Sequence, residues 1–198
     1  MVWKRKNKDT SEFRPDTTSA TWLKTVRLTQ LQRLRLTKWS LYALVIMLAL
    51  VVQDVIMSQL NLLGATTDLA VCVILLITVL EGTEIGSLFV LIASLFYYFS
   101  GSAPGAYSIG LLTCLGICAT ILRQMYLHRS KGSILLSAGI ALMLYELGLF
   151  LAGLFNELTP LGRLPVFVLT GAYTCLAMNL LYPLIYKIGL IGGTTWKE

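Results

Sequence analysis

The stretch from Glu81 to Gly105 decides the fold that we predict for this chain of 198 residues. It reads EGTEIG, then an apolar run from Ser87 to Phe99, and then SGSAPG. The two glycine-containing corners enclose a segment just long enough to cross a lipid bilayer, where the lack of water requires a helical backbone. We therefore predict a membrane-spanning helix between two corners at opposite membrane faces, with the other apolar runs packed around it.

The composition places the whole chain in a membrane. Hydrophobic residues make up 56% of the sequence and charged residues only 13%, whereas a soluble domain carries about 25% charged residues. One soluble core cannot bury that much apolar surface. A β-barrel would need alternating segments of about 10 residues, and the apolar runs here are longer and continuous. We predict an all-α, multi-pass protein of the plasma membrane.

Six apolar runs define the predicted membrane domain, residues 39–193. They lie near 39–60, 67–80, 85–99, 106–122, 133–155 and 164–187. The first, fifth and sixth runs are long enough for full spans of about 20 residues. The three middle runs are shorter, and they cross if neighbouring helices shield their ends or the bilayer thins. The predicted fold is a six-transmembrane-helix bundle followed by a short tail, 194–198.

The charge distribution predicts the orientation of the bundle. Residues 1–38 contain ten of the sixteen basic residues and three acidic ones, so this tail carries +7 and the remaining chain −1. Excess positive charge stays in the cytoplasm. Six spans then return the C-terminus to the cytoplasm, and only Arg163 among the basic residues faces outward. The EGTEIG corner is thus predicted inside and the SGSAPG corner outside.

The basic tail divides into two predicted parts. Residues 1–19 are polar and predicted to be disordered. Residues 21–38 alternate apolar and basic side chains, which indicates a partly amphipathic helix on the anionic cytoplasmic leaflet. The side chains expected at that membrane surface are Lys24, Arg27, Arg33, Arg35 and Lys38. Membrane lipid is therefore a predicted partner, and nucleic acid is not, because topology alone explains the charge next to a span.

Two carboxylates lie inside predicted spans, Glu146 in LYELGLF and Asp54 in VVQDVIM. A charge at such depth costs roughly 2.5–3.5 kcal/mol and usually faces the bundle interior. Two interpretations stay open: a proton or ligand site, or a buried polar clamp between helices. The clamp is favoured for both residues, and more strongly for Asp54, which lies nearer the outer interface. Asp68 lies near the N-terminus of the second run, where a carboxylate interacts favourably with the helix dipole.

Other motifs point to packing and away from catalysis. Gly82 and Gly86, and likewise Gly101 and Gly105, are four residues apart and are predicted to allow close helix contacts and corners. No span contains histidine, and the sequence has no HExxH or P-loop motif. We predict no enzymatic activity, no cofactor and no metal site.

Several segments, taken in order, carry a resemblance to a known family. They are GATTDLAVCVILL (64–76), LEGTEIGSLF (80–89), SGSAPGAYSIGLLTCLGICATIL (100–122), LMLYELGLF (142–150) and YPLIYKIGLIGG (182–193). With them, residues 39–193 resemble the family of the rod shape-determining protein MreD, in its clostridial-type branch. That family often has an acidic residue just before the outer corner, where this chain has Tyr97 and Tyr98.

The resemblance implies a fold and a function. The fold is a six-helix bundle similar to the substrate-binding subunits of energy-coupling-factor transporters. The function is a non-enzymatic scaffold or regulator of the bacterial cell-elongation complex, which supports cell shape and side-wall peptidoglycan synthesis. The implied direct partner is MreC, and MreB, RodA and a class B penicillin-binding transpeptidase belong to the same complex. The alternative is the substrate-capturing subunit of an energy-coupling-factor vitamin or metal transporter.

Overall fold

The structure, a computed structural model, describes residues 30–57, 59, 64–126 and 130–191. It contains six α-helices: α1 (Gln30–Val52), α2 (Leu69–Glu81), α3 (Thr83–Phe99), α4 (Tyr107–Tyr126), α5 (Lys131–Phe155) and α6 (Leu164–Gly189). A π-helical turn, Gln53–Met57, continues α1, and a 3-10 turn, Leu161–Arg163, precedes α6. Predictions on residues 1–29, Lys24 and Arg27 included, and on 194–198 concern segments outside the described residues.

The described chain is an all-α membrane protein. Four stretches are long and apolar enough to cross a bilayer: Gln32–Ile56, Tyr107–Met125, Lys131–Phe155 and Leu161–Gly189. Helices α2 and α3 are apolar but shorter, with 13 and 17 residues. Consecutive helices run in opposite directions, which gives the bundle two ends. We call them the Glu81 end and the Ser102 end.

Helix α2 is the centre of the bundle. It contacts each of the other five helices, and every residue from Ala70 to Val79 is buried. The expectation that the run 85–99 forms the centre is wrong. That run lies in α3, which buries only one face, formed by Gly86, Val90, Ala93, Ser94 and Tyr97. The physical reason is that α2 is apolar on all sides, as in a fully buried helix.

The central helix is also much shorter than its neighbours. Its 13 residues span about 20 Å at 1.5 Å per residue, whereas a hydrocarbon core measures about 30 Å. Helices α5 and α6, with 25 and 26 residues, extend about 38 Å. Asp68 caps the start of α2, where its Oδ1 accepts a hydrogen bond from the Val71 backbone N–H at 3.2 Å. The predicted placement of Asp68 at a helix N-terminus is thereby confirmed.

The predicted glycine corners have different structural roles. Gly82 turns the chain from α2 into α3 with φ of 87°, a conformation that glycine adopts without strain. At Gly86 an added Cβ would lie 2.4 Å from the Thr78 backbone oxygen, so α3 crosses α2 in backbone contact. Gly101 has φ of 81° at the other corner. The nearest atoms to an added Cβ on Gly105 belong to the ring of Tyr107.

Replacement of Gly86 by alanine is expected to destabilise the bundle. The Cβ would overlap backbone atoms of α2, which cannot rotate away as a side chain can, and overpacking of this kind costs about 1–3 kcal/mol. Thermal unfolding in detergent measures the effect. Gly110→Ala in α4 is the matched control, since no atom lies within 4 Å of its added Cβ and alanine favours a helix. Equal melting temperatures for the two variants would contradict the close crossing.

Candidate functional site

A buried ion pair closes the Glu81 end of the central helix. The Lys38 Nζ of α1 lies 2.5 Å from Glu81 Oε1, and the two side chains are 6% and 2% exposed. The Tyr42 hydroxyl donates to the same oxygen at 2.7 Å. Lys38 was expected at the membrane surface, and the structure corrects this: α1 is continuous through position 38, which faces α2. Arg33 and Arg35, on the same helix, are exposed.

A second cation completes this end of the bundle. The last carbonyl groups of a helix lack partners within the helix, and Arg123 of α4 donates to one of them, the Val79 carbonyl. The Thr83 hydroxyl donates to Gln124 Oε1 at 2.9 Å and links α3 to α4. Positive charge near a helix C-terminus also interacts favourably with the helix dipole. The Glu81 end is therefore a cross-linked structural cluster.

Substitution of Glu81 by glutamine tests how strongly this cluster stabilises the fold. It leaves the Lys38 ammonium buried beside an uncharged amide, and breaking a buried pair in this way costs about 3–5 kcal/mol. We expect a clear drop in the midpoint of thermal unfolding in detergent. Glu84→Gln is the control, because Glu84 is exposed and surface changes usually stay within about 0.5 kcal/mol.

The double variant Glu81→Gln with Lys38→Met measures the interaction between the two charges separately from the effect of removing either charge alone. Removing both charges relieves the unpaired ammonium, so part of the lost stability should return. A double-mutant cycle with no coupling energy would show that the ion pair does not stabilise the bundle.

The Ser102 end holds a cavity of about 620 Å³. Its floor is formed by Asp68, Tyr97 and Glu146, and its mouth includes Ser102 and Arg163. The cavity forms where α2 starts well below the ends of α5 and α6, and none of the described residues fills the space above Asp68. Its volume falls within the range of about 300–1,000 Å³ that is typical of small-molecule sites.

Asp68, on the cavity floor, is held by its neighbours. The Tyr97 hydroxyl of α3 donates to Oδ2 at 2.9 Å, while Oδ1 caps α2. The backbone N–H of Asp68 donates to Thr174 Oγ1 of α6 at 3.1 Å. Gln53 closes the same end of α2 by accepting from the Ala70 N–H at 2.9 Å. Asp68 therefore has a structural role, although it also lines the cavity.

Glu146 differs from Asp68 because its carboxylate has no hydrogen-bond or ion-pair partner among the described residues. The side chain is only 4% exposed and it lines the cavity. It lies nine residues before Phe155, the end of α5, or about 14 Å along the helix. A clamp between helices requires a partner, and the described helices supply none. The geometry therefore favours the ligand-site interpretation for Glu146 over the clamp that the sequence favoured.

The backbone around Glu146 leaves it room. Gly171 of α6 packs against α5 at this level, and an added Cβ there would lie 2.6 Å from Met143 Sδ and 3.6 Å from Glu146 Cγ. A larger residue at position 171 would push both side chains. The glycine thus lets α6 approach while Glu146 still reaches the cavity.

Asp54 lies in the π-helical turn beyond α1 and is exposed. Its two carboxylate oxygens accept from the Ser102 hydroxyl at 3.0 and 3.1 Å, which joins the end of α1 to the SGSAPG corner. The contact links two segments of the chain, but Asp54 is exposed and does not form the buried clamp that the sequence favoured. Asp54, Asp68 and Glu146 line one cavity, but within the described ranges no three His, Cys, Asp or Glu side chains are grouped so as to hold a metal ion.

Comparison with known proteins adds no relative: no family model, no curated protein and no solved structure matches this chain. The helices themselves define the molecule as an all-α membrane protein. One end of its central helix is closed by cations, and the other opens into an acidic cavity.

Proposed function

We propose that this chain is a non-enzymatic scaffold or regulator of the bacterial cell-elongation complex that acts through MreC. The observation that supports the proposal is where the resembling segments lie. GATTDLAVCVILL builds the capped start and buried body of α2, and LEGTEIGSLF contains the turn that brings α3 into backbone contact with it. Interior segments are constrained by close packing, so a resemblance there carries more weight than one between lipid-facing apolar runs.

The proposal includes six spans with both termini in the cytoplasm. The alternating helix directions agree with it, since residues 30 and 191 lie at the same end of the bundle. The short α2 crosses at little cost because its neighbours surround it and its polar ends have protein partners. The Glu81 end is then cytoplasmic, and the cavity opens outward.

An apolar groove between α1 and α3 offers a face for MreC. It encloses about 360 Å³ and is lined on α1 by Trp39, Ala43, Ile46 and Met47, and on α3 by Ile85, Leu88, Phe89, Ile92, Ala93 and Phe96. The α3 residues recur every three or four positions, the spacing that receives the side chains of a partner helix. They extend over about 16 Å of helix. A recess of this length suits a rod-shaped occupant.

The charge at one end of the groove favours a single transmembrane helix as that occupant. Glu84, in the first turn of α3, is exposed at the Glu81 end. Single-span proteins carry basic residues at the cytoplasmic end of the span, and these would meet Glu84 when the helix lies in the groove. We assign the groove to the span of MreC, the bitopic partner that the resemblance implies.

Co-purification tests the scaffold and the groove together. The tagged chain is expressed with MreC from the same genome and purified in mild detergent. MreC should be recovered with the wild type, and Ala43→Trp should reduce its recovery roughly tenfold by filling the groove. Leu180→Trp is the control, because Leu180 lies on α6 and is 80% exposed. Absence of MreC from the wild-type sample, or equal recovery with both variants, would argue against the proposal.

Cell shape gives an independent test. Depletion of the protein in its rod-shaped host should make cells round and swollen. The wild type and Leu180→Trp should restore rods, while Ala43→Trp should not, at membrane levels that immunoblotting shows to be equal. Depleted cells of normal shape would refute a role in elongation.

The outer cavity favours a second candidate, the substrate-capturing subunit of an energy-coupling-factor transporter. Such a subunit needs a polar site in its outer half, and the cavity provides one. Under this alternative, the purified chain would bring an ATPase module in place of MreC.

A further inference from the structure

We infer that the cavity at the Ser102 end binds a small zwitterion, with Glu146 as the counter-ion of its ammonium group and Arg163 facing its anionic group. This goes beyond the scaffold role and does not depend on which protein partner the chain has. The inference rests on the unpartnered carboxylate of Glu146 inside the cavity and on the order of charges from the cavity floor to its mouth.

Glu146 lines the cavity without a partner among the described residues. A buried carboxylate without a donor is strongly unfavourable unless something satisfies it. Asp68, its neighbour on the floor, already receives the Tyr97 hydroxyl, and no cationic side chain among the described residues reaches Glu146. A ligand ammonium would supply both the missing positive charge and N–H donors.

The charges are ordered from floor to mouth. Glu146 lies deep, while Arg163 lies in the 3-10 turn before α6, is exposed, and lines the mouth. A guanidinium binds phosphate or carboxylate through two parallel hydrogen bonds. Leu149, Val166 and Phe167 form an apolar wall between these levels, and a low-polarity wall strengthens charge interactions. The order suits a ligand that enters with its ammonium group first.

Two sources can present this chemistry at the outer face. One is a free amine that bears a phosphate or carboxylate, and the other is the phosphoethanolamine headgroup of a membrane lipid. Both offer an N–H-bearing ammonium a few bonds from an anion. A quaternary ammonium such as phosphocholine has the same charges but no N–H to donate.

Binding to the purified full chain tests the inference. O-phosphoethanolamine is titrated in detergent by calorimetry, with phosphocholine as the matched probe. For the lipid source, melting temperatures are compared in nanodiscs of phosphatidylethanolamine and of phosphatidylcholine. Saturable binding of the free probe, or a higher melting temperature in phosphatidylethanolamine alone, supports the site and identifies the source. The phosphocholine form should bind at least roughly tenfold more weakly, because the site then lacks its donor. The inference is overturned if neither calorimetry nor melting in nanodiscs shows a preference for the primary ammonium over the quaternary ammonium.

Two variants test the roles given to Glu146 and Arg163. Glu146→Gln should weaken phosphoethanolamine binding roughly tenfold or more, and Glu157→Gln should leave it unchanged, because Glu157 is exposed and outside the cavity lining. Arg163→Gln, a surface change that folding should tolerate, should weaken phosphoethanolamine binding but not ethanolamine binding. Undiminished binding by Glu146→Gln, or by Arg163→Gln if the former does not fold, would overturn the assignment. None of these readouts involves MreC, so the inference can fail while the scaffold proposal stands.

Discussion

The structure depends on one constraint: the helix at the centre of the bundle is shorter than the hydrocarbon core of a bilayer. Helix α2 covers about 20 Å, against about 30 Å for the hydrocarbon core, so both of its ends lie inside the bundle. Each end must therefore find partners within the protein. Asp68 and Tyr97 serve one end, and Glu81, Lys38 and Arg123 serve the other. Both polar clusters of the bundle follow from the length of this helix.

The two ends of α2 meet this constraint in different ways: one end is closed by a polar cluster, and the other end opens into a cavity. At the Glu81 end, cations from α1 and α4 reach the helix terminus and leave a closed, cross-linked cluster. At the Ser102 end, the helix terminus is also satisfied, but α5 and α6 continue beyond it. The bundle walls then rise around a helix that stops short. The cavity is a consequence of unequal helix lengths, and the rigid packing below it holds its floor in place.

Much of this fold was predictable from the sequence, because a long apolar run inside a membrane has to be helical. The apolar runs predicted the helices, Gly82 and Gly86 marked a corner and a close crossing, and Asp68 marked a helix start. The central position of α2 was missed although LAVCVILLITVL is apolar on every side, the pattern of a buried helix. The Lys38–Glu81 pair was missed for another reason. Lys38 and Glu81 are far apart in sequence, and each lies at the end of an apolar run, where a charged side chain is expected at the membrane surface. Only the packing of α1 on α2 shows that they meet.

The site was predictable only in part. Glu146 stood out in the sequence as a charge within a span. Whether it had a partner depended on which side chains the neighbouring helices bring to it, and the sequence does not show this. Tyr97 and Tyr98 stand where the family that the sequence resembles often has an acid, and the Tyr97 hydroxyl donates to Asp68. A carboxylate at position 97 would instead have placed a second negative charge beside Asp68, and like charges in one site oppose each other. With tyrosine there, Asp68 is satisfied by a neutral donor, and Glu146 remains the carboxylate on the cavity floor that is free to accept a ligand.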